Sequence, residues 1–517
     1  MLFRRKQAND LVDVENRMNK AINYSQWCEA TREHDVLSGA ADWQKTEETN
    51  LYDHRQIRHR LDTLRLHRRN NDNHSLLFTL NEGIHGNMGG MGKIELYQHA
   101  KHGTKHLIEE YVEEIVSALQ HIAQLDGHEI SLDEKLDFFH RASLCYGRTA
   151  LMLSGGGTLG HFHIGVVKAL LEQDLLPSVI SGASAGSVVT AIFGTHTNPE
   201  LIELIQPVRL LAEAKKNAGW LKKLLYGKKQ RADIKDFESL VLNRLVPDLT
   251  FQEAYELTGR RINISIAPAE LHQTSRLLNA ITSPNVYIRT AVLASCAVPG
   301  IYPSVMLEAK NERGERQPYL PTRRWIDGSF SDDLPAKRLS RLYDVNHYIG
   351  SLINPIVLFS KDGWENTRIP GWLRWFTHKS AHRIAKATST LSQKYTPEWT
   401  RFNVMMNTIA SVLKQEYSAN ISVYPDFREF DLRQILSPLD EEELLALVRQ
   451  GELAAWSKME RIRITSKIEG TLDKILEQYG EQELRHVKRT KISVKERSSS
   501  KASKASKTKK ITKTIRV

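Results

Sequence analysis

Hydrophobic positions change their spacing along this chain. From about residue 10 to 145 they recur at helical intervals. Leu107, Ile108, Tyr111, Val112, Ile115, Leu119 and Ile122 form one stripe, and Ile57, Leu61 and Leu64 form another within 51–69. Steps of three and four residues place such side chains on one face of a helix. The other side of 51–69 carries Arg55, Arg58, Arg60, Arg65, Arg68 and Arg69. That basic face suits an anionic membrane or, equally simply, solvent salted by nearby acids. A glycine-rich loop at 86–92 separates the two stripes.

After residue 148 the rhythm shortens. Thr149, Ala150, Leu151, Met152, Leu153 and Ser154 read as a buried strand, as do 175–180, 261–267 and the stretch around Ile326. The first two runs each enter a glycine-bearing turn and then a helix-like segment. Consecutive strand–turn–helix units lie side by side in a parallel sheet. A late strand is expected at 421–425, followed by amphipathic helices at 439–453 and 456–476 that close the core. The fold class is therefore α/β, a mostly parallel sheet flanked by helices and preceded by a helical domain. The expected divisions are 1–147 for that helical domain, 148–480 for the sheet domain and 481–517 for a tail.

Composition adds bounds. A chain of 517 residues is too long for one core. Its 41% hydrophobic and 26% charged residues fit a folded protein and exclude wholesale disorder. Three widely spaced cysteines, Cys28, Cys145 and Cys296, exclude a disulfide framework and a zinc pattern, and suggest a reducing, cytoplasmic setting. No run reaches the roughly 18 apolar residues of a membrane span. The net charge of +11 is concentrated at one end: residues 485–517 hold 13 Lys/Arg against Glu496, so the preceding 484 residues sum to −1. This Lys/Ser tail has too few apolar residues to fold, and it suits an anionic surface or simple solubilisation. Within the sheet domain, 364–386 sets Trp364, Trp372, Trp375 and Phe376 among Arg368, Arg374, Lys379 and Arg383. Tryptophan beside arginine fits a lipid–water interface, although aromatic packing over an active-site mouth would use the same residues.

The chemistry gathers at three motifs. Gly182-Ala183-Ser184-Ala185-Gly186 lies between an apolar run and a helix-like stretch. In that context Gly-x-Ser-x-Gly lifts the serine hydroxyl above a sheet edge. Upstream, Gly155-Gly156-Gly157-Thr158-Leu159-Gly160 opens another helix and bares backbone N–H groups for an oxyanion or a phosphate. Gly155, Gly157 and Gly160 also fit a dinucleotide fingerprint, but the next strand ends at Ser181 without the carboxylate that would hold a ribose. Downstream, Asp327-Gly328-Ser329 follows a short apolar stretch and places an aspartate at what would be a strand's carboxyl end.

These three motifs in this order resemble those of the patatin-like phospholipases. Ala294-Ser295-Cys296-Ala297-Val298-Pro299 resembles a further family segment, and the likeness covers about 149–355. Leu159 and the Asp-Gly-Ser form are similar to the triacylglycerol-lipase branch, as is the long helical N-terminus. The resemblance implies a serine acyl hydrolase with a Ser184–Asp327 dyad, an acyl-enzyme intermediate and no metal or organic cofactor. Gly155, Gly156, Gly157 and Thr158 would form the oxyanion hole, with Gly160, Gly182, Gly186 and Gly328 shaping the turns. The expected partners are a lipid ester and a membrane or lipid-droplet surface, met peripherally.

Rival readings remain open at this point. One is a catalytically idle lipid-binding scaffold, another a nucleotide-binding protein. A third is a triad using a histidine after Asp327, for which His347 is the best placed, although its apolar neighbours suggest a partly buried structural role. His161 and His163 are expected on a helix surface. His102 and His106, one helical turn apart, lack a third ligand for a metal.

Overall fold

Both helical stripes fold as their spacing predicts in this computed structural model, which describes residues 2–206, 242–270, 274–299, 302–329, 332–354, 419–426 and 440–480. The aromatic and basic segment 364–386 and the tail 481–517 lie outside the described residues. The chain divides into two compact units. One comprises Met1–Lys45, Ile94–Thr104 and Gly147–Arg463; the other comprises Thr46–Lys93, Lys105–Tyr146 and Ile464–Val517. The first three helices, α1 (Leu2–Lys20), α2 (Tyr24–Ser38) and α3 (Ala40–Lys45), belong with the sheet. The cause is apolar: Val14, Met18, Trp27 and Cys28 share one core with Leu151, Phe162, Val166 and Trp456.

The second unit contains α4 (His54–Arg69), α5 (Asn73–Gly83), α6 (His106–Gln124) and α7 (Leu132–Tyr146). Ile57, Leu61 and Leu64 of α4 and Ile108, Ile115, Leu119 and Ile122 of α6 are all buried. Asp53 and Asp72 accept the N–H groups of Gln56 and Ser75, satisfying donors that a helix start leaves unpaired. The basic face of α4 is extensively matched by acid. Arg58 pairs with Glu47, Arg65 with Glu110 at 3.0 Å, and Arg68 grips Glu114 at 2.7 and 2.9 Å.

In the first unit the strands are β1 (Arg148–Leu153), β2 (Val179–Gly182), β3 (Arg261–Pro268), β4 (Arg276–Leu278), β5 (Leu307–Lys310), β6 (Arg316–Tyr319), β7 (Trp325–Asp327), β8 (Val345–Ser351) and β9 (Ile421–Val423). The order β4-β3-β2-β1-β8-β9 makes one sheet, with β7 added to β3, while β5 and β6 pair separately. The pairs among β3, β2, β1, β8 and β9 are parallel; β4 and β7 run antiparallel to β3. β1 is apolar from Ala150 to Leu153 because both its faces are covered there. Leu151 and Leu153 enter one core, and Ala150 and Met152 enter another with Val179, Leu339 and Tyr343.

Two helices follow the catalytic-looking turns: α8 (Gly160–Glu172) after β1 and α9 (Ala185–Thr195) after β2. Next come α10 (Ile288–Ser295) and α11 (Glu441–Trp456), the latter started by a capping box of Asp440 and Glu443. α8 and α11 cross at glycines. A Cβ on Gly165 would strike the Val448 carbonyl, and one on Gly451 would strike the Phe162 carbonyl. That crossing fixes α8, and with it the glycine loop at its start.

Candidate active site

The elbow is built around an unfavourable backbone. Ser184 has φ 49° and ψ −122°, a region L-residues seldom occupy and one that costs about 1–3 kcal/mol. Several bonds hold it there. Its N–H donates to Ser295 Oγ at 2.9 Å, and Ser295 Oγ in turn donates to the Ser265 carbonyl of β3 at 2.8 Å. The Ser184 carbonyl accepts from Ser187 Oγ at 2.6 Å and Cys296 Sγ at 3.5 Å. Gly182 and Gly186 lack side chains because the turn folds onto itself. A Cβ on Gly182 would meet the Gly186 carbonyl, and one on Gly186 would meet the Leu153 carbonyl.

The glycine loop comes within van der Waals reach of this serine. A Cβ on Gly155 would lie 2.9 Å from Ser329 Cβ and 3.3 Å from Ser184 Cβ. Gly156 is pressed against Ile353, Gly160 against Ala185, and Gly157 has φ 60°. Parallel pairing of Leu153 with Gly182 sets loop and elbow side by side. Each precedes a helix whose N-terminus favours negative charge in front of it.

One expected donor is already engaged. The Gly155 N–H donates to Asp333 Oδ1 at 2.7 Å, so Gly155 shapes the loop instead of offering a hydrogen bond. The N–H groups of Gly156 and Gly157 make no hydrogen bond among the described residues. Thr158 follows them, with its carbonyl 2.9 Å from His161 Nδ1. A buried carboxyl at the loop's base also disfavours a phosphate there, which counts against the nucleotide reading.

Asp327 completes the group. It lies at the end of β7, but that strand runs back along β3, with Asp327 opposite Ile266. Asp327 closes its strand, as its sequence context suggests, and the antiparallel course of β7 brings it to the site from the opposite direction. Gly328 packs against the Ser265 backbone, which lets β7 approach this closely. Asp327 is 1% exposed, and its Oδ1 accepts the Ser329 N–H at 2.8 Å. Its Oδ2 has no well-formed hydrogen bond among the described residues. Burial pushes its pKa up to about 6, against the lowering influence of the Ser329 N–H and of the neighbouring Ser184 hydroxyl. The serine and the aspartate, 143 positions apart in sequence, thus lie near enough for the Ser184 hydroxyl to act on the Asp327 carboxyl.

Residues 151–340 match the family described as patatin-like phospholipase, and residues 3–144 match a domain of unknown function (DUF3336). Triacylglycerol lipase ptl3 of Schizosaccharomyces pombe is 32% identical over 459 residues, covering 86% of this chain and 93% of its own length. The chain belongs to the patatin-like phospholipase family. Triacylglycerol lipase SDP1L of Arabidopsis thaliana is 32% identical over 89% of this chain, and triacylglycerol lipase 4 of Saccharomyces cerevisiae 33% identical over 90%. Of those two relatives' own lengths the chain spans 57% and 53%.

In this patatin-like chain His347 stands apart from the chemistry. His347 is partly buried and pairs with Thr149 at the first end of β1, whereas Ser184 follows the last end of β2. His163 is no surface residue. It is fully buried, with Nε2 2.9 Å from the Ser154 carbonyl and Nδ1 2.7 Å from Ser351 Oγ, tying the ends of β1 and β8 beneath the glycine loop. Burial pushes its pKa down to about 4, so it serves as a neutral brace. His102 Nε2 lies 3.2 Å from the Arg32 guanidinium. Sequence reading missed Asp333 and the bracing role of Ser295. A second aspartate six positions after Asp327, and a serine beside Cys296, were the available signals.

Proposed function

We propose that this chain is a lipid ester hydrolase that works through Ser184 and Asp327. The observation that carries the reading is a strained serine beside a buried carboxyl whose second oxygen is left open. Ser184 Oγ attacks the ester carbonyl while its proton passes to Asp327 Oδ2. The N–H groups of Gly156 and Gly157 hold the resulting oxyanion, each such donor being worth about 3 kcal/mol. Collapse expels the alcohol, which takes the proton from Asp327 and leaves an acyl group on Ser184. Water then gives its proton to Asp327, attacks the acyl carbon and releases the fatty acid as Ser184 recovers a proton.

Triacylglycerols are the first substrates to test, since the relatives above carry that activity in their names. The lipid is met at a droplet or membrane surface, because triacylglycerols are insoluble in water; among the described residues no helix is long and apolar enough to cross a bilayer. Product analysis of triacylglycerol and phospholipid digests by the chain and by Ser184→Ala tests the reading. Release of fatty acid only by the unsubstituted chain, with fluorophosphonate labelling at Ser184, supports it. An unlabelled serine would favour an idle scaffold. Trp372→Ala with Trp375→Ala is expected to weaken droplet binding while leaving hydrolysis of a soluble short-chain ester intact.

A further inference from the structure

A small cleft in the unit that holds the sheet is lined by Tyr97, Lys101, Trp456, Lys458, Glu460 and Arg461. Its internal volume of about 20 Å³ admits little more than one water-sized centre, so it suits the oxygens of a small polar group and excludes an acyl chain. Trp456 is 1% exposed, and its indole N–H has no hydrogen bond among the described residues. A buried donor left without an acceptor destabilises the fold. Arg449 lies over the same ring, 4.5 Å from its centroid.

The charges of this cleft are one-sided. Lys458 is half-buried and has no carboxylate within ion-pair distance among the described residues. Burial, and then the neighbouring Arg461 cation, push its pKa down. Glu460, the acid of the lining, is engaged by the Tyr24 hydroxyl at 2.8 Å and by Arg463 at 3.3 Å. The Arg461 guanidinium lies 5.8 Å from the centroid of the Tyr97 ring. The Trp456 N–H and the Lys458 ammonium together give the cleft the chemistry to take an anion.

The position of the cleft separates it from the ester site. Arg461 acts on His347, which pairs with Thr149 at the first end of β1. Ser184 lies beyond the other end, where Leu153 pairs with Gly182. Four residue steps of strand, about 13 Å at the usual rise, intervene.

We propose that Trp456, Lys458, Arg461 and Lys101 bind a phosphate group at the sheet end opposite Ser184. The phosphate belongs to a lipid headgroup or to a small soluble ester, and the test distinguishes them. Thermal unfolding of the full chain is followed with millimolar inorganic phosphate at constant ionic strength. Sedimentation uses phosphatidylcholine vesicles with and without phosphatidic acid. Phosphate raises Tm if the site takes a soluble ligand; retention by phosphatidic acid vesicles alone assigns it to a headgroup. In either case Trp456→Phe, which keeps an aromatic ring but removes the indole N–H, and Lys458→Met weaken the response about tenfold, the loss of one charge-assisted contact. Lys337→Gln, at an exposed lysine elsewhere, leaves it unchanged. Binding through the basic tail is common to all variants and cancels. Lys458→Met also raises Tm without any ligand, because it removes an unpaired cation. Responses to phosphate and vesicles that are absent, or equal in all variants, overturn the proposal, as does a fall in the ligand-free Tm of Lys458→Met.

Discussion

Two buried carboxyl groups in this protein are treated in opposite ways. Glu114, in the helical unit, is 5% exposed and has both oxygens gripped by Arg68, with Arg65 3.6 Å away. Asp327, in the sheet unit, is 1% exposed and keeps one oxygen open. The first arrangement neutralises a charge where it stands. The second leaves a charge poorly compensated, which is unfavourable for folding and useful for taking a proton. Burial without a counter-ion is what raises the Asp327 pKa. At Asp327 the sheet unit therefore gives up stability, and at Glu114 the helical unit does not.

That contrast can be broken most forcefully at Ser184. Ser184→Ala is expected to lower hydrolysis of a soluble ester by about 10⁵-fold, leaving the melting temperature unchanged or slightly higher. Asp327→Asn comes next, with a loss of about 10³-fold in kcat. It should also stabilise the chain. A folded pKa near 6 against the ordinary 3.8 means that the folded chain keeps a proton the unfolded chain has lost. Stability therefore falls as pH rises from 4 to 6, and the deficit of about 3 kcal/mol is complete above that window. Asn cannot ionise, so its Tm advantage is greatest at neutral pH and shrinks below pH 4. An Asn variant less stable than the parent at pH 7.5 would count against a charged, unpaired Asp327. In the unsubstituted chain, kcat/KM should rise with pH through an apparent pKa near 6.

Smaller effects sharpen the same comparison. Asp333 holds the Gly155 N–H, so Asp333→Ala should misplace the donors of Gly156 and Gly157 and lower kcat about 30-fold with little change in KM. Asp333→Asn keeps an acceptor oxygen and should restore most of the rate; equal losses in both variants would reject a positioning role. Glu114→Ala should shift the urea midpoint by about 2 kcal/mol of stability, below the full buried-pair figure because Arg68 is 39% exposed. Fluorophosphonate labelling under native conditions should stay at the parent rate.

Much of the site was readable because its parts are local. A glycine turn between a strand and a helix needs only its own few residues, so 155–160 and 182–186 announced themselves. The strand β8 did not, because Val345–Ser351 mixes Asn346 and His347 with apolar residues and gains its strand form from pairing with β1. The direction of β7 was equally hidden, since three residues cannot say whether they pair parallel or antiparallel. Helical spacing alone places His163 on a surface, because it cannot reveal that Ser154 and Ser351 converge on it.

By itself the sequence determined the periodic elements, the turn chemistry and the identities of the serine and the aspartate, all of which depend on neighbours along the chain. Tertiary structure decided which N–H groups of the glycine loop stay free, how far Asp327 is shielded from water, and that the first 45 residues join the sheet unit. Those properties depend on which distant atoms exclude solvent or fill a hydrogen bond. Such atoms become neighbours only when the chain folds.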